Sequence, residues 1–199
     1  MKQTILLFLF FPLMCIGQSQ MEKAKKFQDE LNEEYADKER SPLTEKDFKH
    51  FEGLPFFSID TTFAVKATLE YTPNDSIFKM KTTTDRLPEY RRGAIARFII
   101  DGKEYELSLY RNLRLMKMEK YKNYYFLPFK DNTCGNTSYG GGRFMDFNIV
   151  EGQEELIIDF NMSYNPLCAY NVRYSCPIVP QENYLDVEIN AGVMAPAGH

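Results

Sequence analysis

AIARFIIDGKEYELSLY, residues 94–110, is the stretch that decides the fold. Two apolar runs, residues 94–100 and 103–110, flank Asp101-Gly102. Asp-Gly between such runs accepts the positive backbone angles of a tight turn, so the stretch reads as a β-hairpin. Working back from it, Phe63, Val65, Ala67, Leu69 and Tyr71 alternate with polar or small neighbours, the period of a strand with one buried face. Pro73, Asn74 and Asp75 then form a turn, from which residues 77–82 are expected to return antiparallel. Forward of the hairpin, residues 124–129, 143–149, 154–160 and 184–189 read as further short strands, with Gly, Pro, Asn or Asp in every gap.

The N-terminal part has another period. Met21, Ala24, Phe27, Leu31 and Tyr35 recur at spacings of three and four, which predicts an amphipathic helix over residues 21–40 that Pro42 ends. Thr44, followed by Asp47, reads as a helix cap, with one or two turns over residues 45–51. The expected architecture is therefore mainly β with N-terminal helices (α+β): an antiparallel sandwich or partly open barrel in a single domain. Strands do not alternate with long helices, which disfavours a doubly wound nucleotide-binding sheet.

The first seventeen residues read as a secretory signal peptide: Lys2, an apolar run over residues 5–16, then small Gly17. The run is too short for the roughly 20 residues of a spanning helix. Cys15 as a lipid-bearing residue is the less favoured reading, because Met14 precedes it where such sites have a small residue. The chain divides into 1–17 signal peptide, 18–40 helical segment, 41–192 β-rich domain and 193–199 tail, and the product is expected to be exported, periplasmic or extracellular. The 199 residues carry a net charge of −4, and the densest basic cluster is the pair Arg91-Arg92, read as a solvated loop. Nucleic acid is excluded as a partner, since displacing counterions from phosphates needs clustered Lys and Arg.

Two segments depart from ordinary strand-and-turn sequence: FLPFKDNTCGNTSYGGGRF (126–144) and DFNMSYNPLCAYNVRYSCPIVPQENYLDVEINAG (159–192). Their motifs PF-x-D-x-T-x-G, a TYG-x-GR variant, DFN-x-x-YNP-x-CAYN, CP-x-x-P-x-EN and a closing AG resemble a bacterial and archaeal domain-of-unknown-function family, number sixteen eighty-four. The resemblance extends to Ser41-Pro42-Leu43, residues 51–57 and Arg92-Gly93, and implies no established reaction. Cys134 stands where the family usually has Ser or Thr; Asn136-Thr137-Ser138 replaces a Glu-Thr, and Val193-Met194 a Glu-Lys.

The residues also speak for themselves. Gly140, Gly141 and Gly142 allow a hairpin, a bulge or a close backbone approach, but they lead into a strand rather than a helix start, so no phosphate cradle is expected. Arg143 presents a fork suited to a carboxylate, with Asp131 and Asp159 as candidate partners, either as a structural pair or for capture of an anion. Asp159, Asn161 and Asn165 serve equally well to satisfy backbone groups around the Asn165-Pro166 turn.

Cys168 and Cys176 are candidates for a disulfide, which leaves Cys134 buried or reactive. A zinc site of the three lacks CxxC pairs and a fourth ligand, so neither metal nor cofactor is expected. Only His50 and His199 occur, neither placed for Ser-His-Asp or Cys-His chemistry. Asp131, Asp159 and Glu182 remain as an acid and base for a carboxylate-dependent hydrolase. Asp60-Thr61-Thr62 and Asp75-Ser76-Ile77 resemble O-glycosylation sequons and suggest surface exposure. The leading expectation is a binding or envelope-interaction module whose polar face comprises Asp131, Tyr139, Arg143, Asp159, Asn161, Asn165 and Tyr170 and takes a carbohydrate or small anion. The hydrolase is the runner-up, and a purely structural role for both motifs is the third reading.

Overall fold

The computed structural model describes residues 14–196, with side chains from residue 20 onward. The expected leader therefore lies outside the described residues except for its last positions, and His199 lies outside them too. Helix α1, Met14–Ala36, buries Ala24, Gln28 and Tyr35. It stops short of residue 40 because the Asp37 carboxylate accepts the Glu39 N–H at 2.9 Å and pairs with Arg40, turning the chain before Pro42. Helix α2, Glu45–Phe48, is a single turn capped by the Thr44 hydroxyl, which accepts the Asp47 N–H at 3.2 Å. Among the described residues no helix is long and apolar enough to cross a membrane.

Eight strands follow: β1 Ala64–Tyr71, β2 Phe78–Lys79, β3 Glu89–Ile100, β4 Lys103–Asn112, β5 Tyr124–Asp131, β6 Arg143–Asn148, β7 Glu155–Asp159 and β8 Tyr184–Leu185. They form one sheet, a half-barrel with the order β6-β5-β4-β3-β1-β7, in which β2 pairs with β3 and β8 with β5. All pairings are antiparallel except β5 with β8. The β3–β4 hairpin turns where the sequence places it, at Asp101 (φ 50°) and Gly102 (φ 76°), with Ile100 opposite Lys103.

Two local expectations change. Strand β2 does not return against β1; it pairs with the start of β3, Phe78 opposite Tyr90, because β1 is already flanked by β3 and β7. Arg91 and Arg92 lie inside β3 rather than in a loop, where Arg92 Nε pairs with Asp75 at 2.5 Å and Arg91 Nη1 donates to Pro73 O at 3.0 Å.

The middle of the sheet is covered on both faces, which is why Leu107, Ser108, Leu109 and Tyr110 are buried in succession. One core contains Phe98, Leu107, Leu109, Leu127, Phe129, Phe160, Ile189 and Ala191. A second, on the opposite face, contains Met80, Tyr90, Tyr110, Phe126, Phe144, Cys176 and Val179. A third joins Tyr35 of α1 to Leu54 and Val193. The C-terminal segment takes part in the first through Ile189 and Ala191 and in the third through Val193, so it closes the fold rather than trailing from it. Burying each Leu, Ile, Val, Phe or Met among these contributes about 1.5–3 kcal/mol relative to exposure.

Candidate functional site

Arg143 opens β6 opposite Phe129 of β5 and is fully buried. Gly142, at φ 90°, brings it there: a Cβ on Gly142 would stand 2.5 Å from Phe129 O, so the turn needs a residue without one. Nη2 of Arg143 donates to Asp131 Oδ2 at 2.5 Å, to Thr133 Oγ1 at 3.3 Å and to Ile189 O at 2.9 Å, while Nη1 donates to Ala191 O. The fork thus meets one carboxylate oxygen, not two, because its Nη groups also satisfy carbonyls of the C-terminal segment that have no strand partner, while Nε is left unpartnered. Asp131 Oδ1 accepts instead from the Thr133 N–H at 2.8 Å, the Thr133 hydroxyl and the Ile189 N–H. The guanidinium lies 5.1 Å from the Phe129 ring centroid and 5.9 Å from that of Phe57, so the charge is sealed off from water.

Asp159 is not the partner of Arg143. Its Oδ1 accepts the Asn161 N–H at 3.1 Å and Asn161 Nδ2 at 2.8 Å, and burial raises its carboxyl above the ordinary range. Asn161 in turn bonds both backbone groups of Asp60, and its carbonyl accepts Gln28 Nε2 of α1 at 3.0 Å. Asn165 Nδ2 donates to Tyr170 Oη at 3.0 Å and to Met194 O at 2.9 Å. Asp131, Arg143, Asp159, Asn161 and Asn165 are each 4% exposed or less. These five candidates therefore do not form a surface; they are ties inside the molecule.

Glu182 is exposed and accepts the Tyr110 hydroxyl at 2.7 Å. With Asp131 paired to Arg143 and Asp159 capping its own turn, the three carboxylates lie in three separate networks. Asn183, which sequence reasoning did not single out, is fully buried and acts as a strand substitute. Its amide oxygen accepts the Ser108 N–H at 2.9 Å, and its NH2 donates to Ser108 O at 2.9 Å and Pro128 O at 2.6 Å. Its place in the CP-x-x-P-x-EN motif was the available signal.

The glycine-rich turn and the cysteine-bearing loop do meet. Phe144 and Tyr164 exchange backbone hydrogen bonds at 2.8 and 3.0 Å, and the Tyr139 hydroxyl reaches Cys168. Cys134, Cys168 and Cys176 are all thiols. Cys176 donates its S–H to Cys168, which, with the Thr83 and Tyr139 hydroxyls, holds the Cys168 thiol down at about 6 against the opposing effect of burial. Cys176, as the donor in that bond and buried, is pushed up. Cys134 is held locally, accepting the Asp131 N–H at 3.5 Å and the Ser138 hydroxyl at 3.7 Å. No three metal-ligating side chains converge among the described residues.

Tyr170 lines an open cleft of about 590 Å3, together with Asp47, His50, Phe51, Glu52 and Ala169. Its ring packs edge-on against Tyr35 at 5.1 Å, and burial pushes its hydroxyl up to about 12. Of the other cleft residues, the sequence marks Asp47 only as part of a helix cap and His50 only as a histidine unsuited to triad chemistry, while Phe51 and Glu52 lie in one of the stretches that carry the family resemblance.

Fold and site together define a single-domain β half-barrel closed by a C-terminal strap over an internal charged brace. The profile of a family described as protein of unknown function (DUF1684) matches residues 49–194, and the chain belongs to that family. The solution NMR structure of an uncharacterised protein from Haloarcula marismortui is similar, with a TM-score of 0.70 and 28% identity over 92% of this chain and 97% of that one. No curated protein matches the chain.

Proposed function

We propose that this chain is an exported binding module of the cell envelope that takes a small, polar, carbohydrate-like ligand in the cleft beside Tyr170. Export rests on the leader pattern of Lys2, the apolar run and Gly17. The observation that carries the binding reading is the cleft itself: its 590 Å3 fall within the roughly 300–1,000 Å3 of small-molecule sites. Phe51 and Tyr170 offer ring faces for a sugar, and Asp47 and Glu52 offer acceptors for its hydroxyls. Those carboxylates favour a neutral ligand over an anionic one. The five buried motif residues support the fold-maintaining reading of their own role, and the separation of Asp131, Asp159 and Glu182 into different networks counts against the hydrolase.

The test is a chemical-shift titration of the mature protein with neutral disaccharides and, separately, glucuronate. Shifts are expected for the disaccharides at residues 43–55 and 169–170, with Glu52→Gln weakening the affinity by about fivefold, the value of one hydrogen bond. Absence of shifts at millimolar sugar, or a preference for glucuronate, would contradict the reading.

A further inference from the structure

Cys168 and Cys176 are eight positions apart in sequence and adjacent in space, the Cys168 N–H donating to Cys176 Sγ at 3.2 Å. They are built differently. Cys176 is buried and its backbone is clamped on both sides by Thr83, whose hydroxyl accepts the Cys176 N–H at 3.1 Å and whose own N–H donates to Cys176 O at 2.9 Å. Cys168 sits in the short turn Leu167–Ala169 and is partly exposed. Groups from three separate segments converge on its sulfur: the Cys176 thiol, the Tyr139 hydroxyl, and the Thr83 hydroxyl, whose one proton is shared with Tyr174 O at 3.3 Å. A buried structural thiol needs no such set of donors. Hydrogen bonds of this kind favour the thiolate, which is the nucleophilic form.

From this arrangement we infer that Cys168 and Cys176 form a thiol–disulfide exchange site, with Cys168 the attacking sulfur, Cys176 the resolving one, and disulfide-bearing molecules the substrate class. Cys168 sulfur attacks one sulfur of an incoming disulfide, forming a mixed disulfide and releasing the first substrate thiolate, which takes up the Cys176 proton. Cys176 sulfur then attacks Cys168 Sγ, the intramolecular disulfide closes, and the second thiolate leaves and is protonated by water. Two protein thiols are oxidised and one substrate disulfide is reduced to two thiols, so no further oxidant is required; the reverse sequence passes the disulfide on. Tyr139 and Thr83 act as positioning residues, holding the Cys168 thiolate ready. The nearby phenol Tyr174 carries Arg173 over its ring, 4.8 Å from the centroid. This reading does not depend on a sugar occupying the cleft.

The experiment reacts the fully reduced protein with oxidised glutathione, following product mass and the rate against pH. Wild type is expected to end with Cys168 and Cys176 bridged and no glutathione retained, whereas Cys176→Ala keeps one glutathione on Cys168. The wild-type rate should rise with a midpoint near 6, where the Cys168 thiol ionises. Tyr139→Phe, which keeps the ring, should slow the reaction by about fivefold below that midpoint, the loss of one hydrogen bond, and move the midpoint up. A mixed disulfide that persists in wild type, a midpoint at the ordinary thiol value of about 8.5 in both proteins, or a bridge that reduced glutathione cannot reopen would each overturn the proposal. The last of these would mark a static staple.

Discussion

Arg143 is a charge with no exposed surface, and its environment explains how that is tolerated. Its opposite charge, Asp131, has both oxygens occupied, and the other Nη donors end on the Ile189 and Ala191 carbonyls, leaving only Nε of the buried fork without a partner. A buried ion pair adds little net stability over an apolar replacement, but removing one partner strands the other without water. Asp131→Ala is therefore expected to lower the unfolding free energy by about 3–5 kcal/mol. Arg143→Lys retains the charge but not the planar fork, and should cost about 2 kcal/mol through the carbonyls it no longer reaches. Urea unfolding monitored by circular dichroism checks both, and unchanged midpoints would remove the brace from the account.

At the scale of elements, β4 and β5 share a single ladder pair, Tyr110 opposite Phe126, and Asn183 fills the gap beyond it. Asn183→Asp sets a carboxylate against Ser108 O and Pro128 O. The variant should lose at least about 3 kcal/mol near neutral pH. Those carbonyls would raise the new carboxyl above its unfolded value, so the deficit should shrink as pH falls through the raised pKa and be smallest below about 4. Unfolding curves at several pH values test this; a deficit independent of pH would contradict it. What was legible in the sequence divides along the same line. The Asp101-Gly102 hairpin, the Thr44 cap and most strand positions follow from local chemistry and period, and the structure has them. The partner of β2 was not legible, because its pairing depends on which neighbours β1 already has. Nor was the depth of Arg143 legible, since its decisive acceptors lie 46 and 48 positions away. The motif residues were correctly singled out as unusual, but a polar residue destined for an internal tie and one destined for a ligand look alike until the segment covering them is placed.

The covering segment is the C-terminal strap, and it organises the whole molecule. Residues 189–195 reach Asp131 through the Ile189 N–H, Ser163 O through Val193, Pro55 O through Met194 and Thr137 O through Ala195. Helix α1 is fastened to the same region by Gln28 on Asn161 O and by Asn32 Oδ1, which accepts the Leu54 N–H at 2.7 Å. The half-barrel is thus shut by long-range polar ties converging on one strap, while its cleft and its thiol pair lie at the edges of that closure. Native-state amide hydrogen exchange tests this most directly. The amides of Ile189, Val193 and Met194 are predicted to exchange as slowly as those of β3 and β4, only on global unfolding, and to become fast in Arg143→Lys while the β3–β4 amides stay protected. Rapid exchange of the strap amides in the wild-type protein, as in a fraying terminus, would contradict the account.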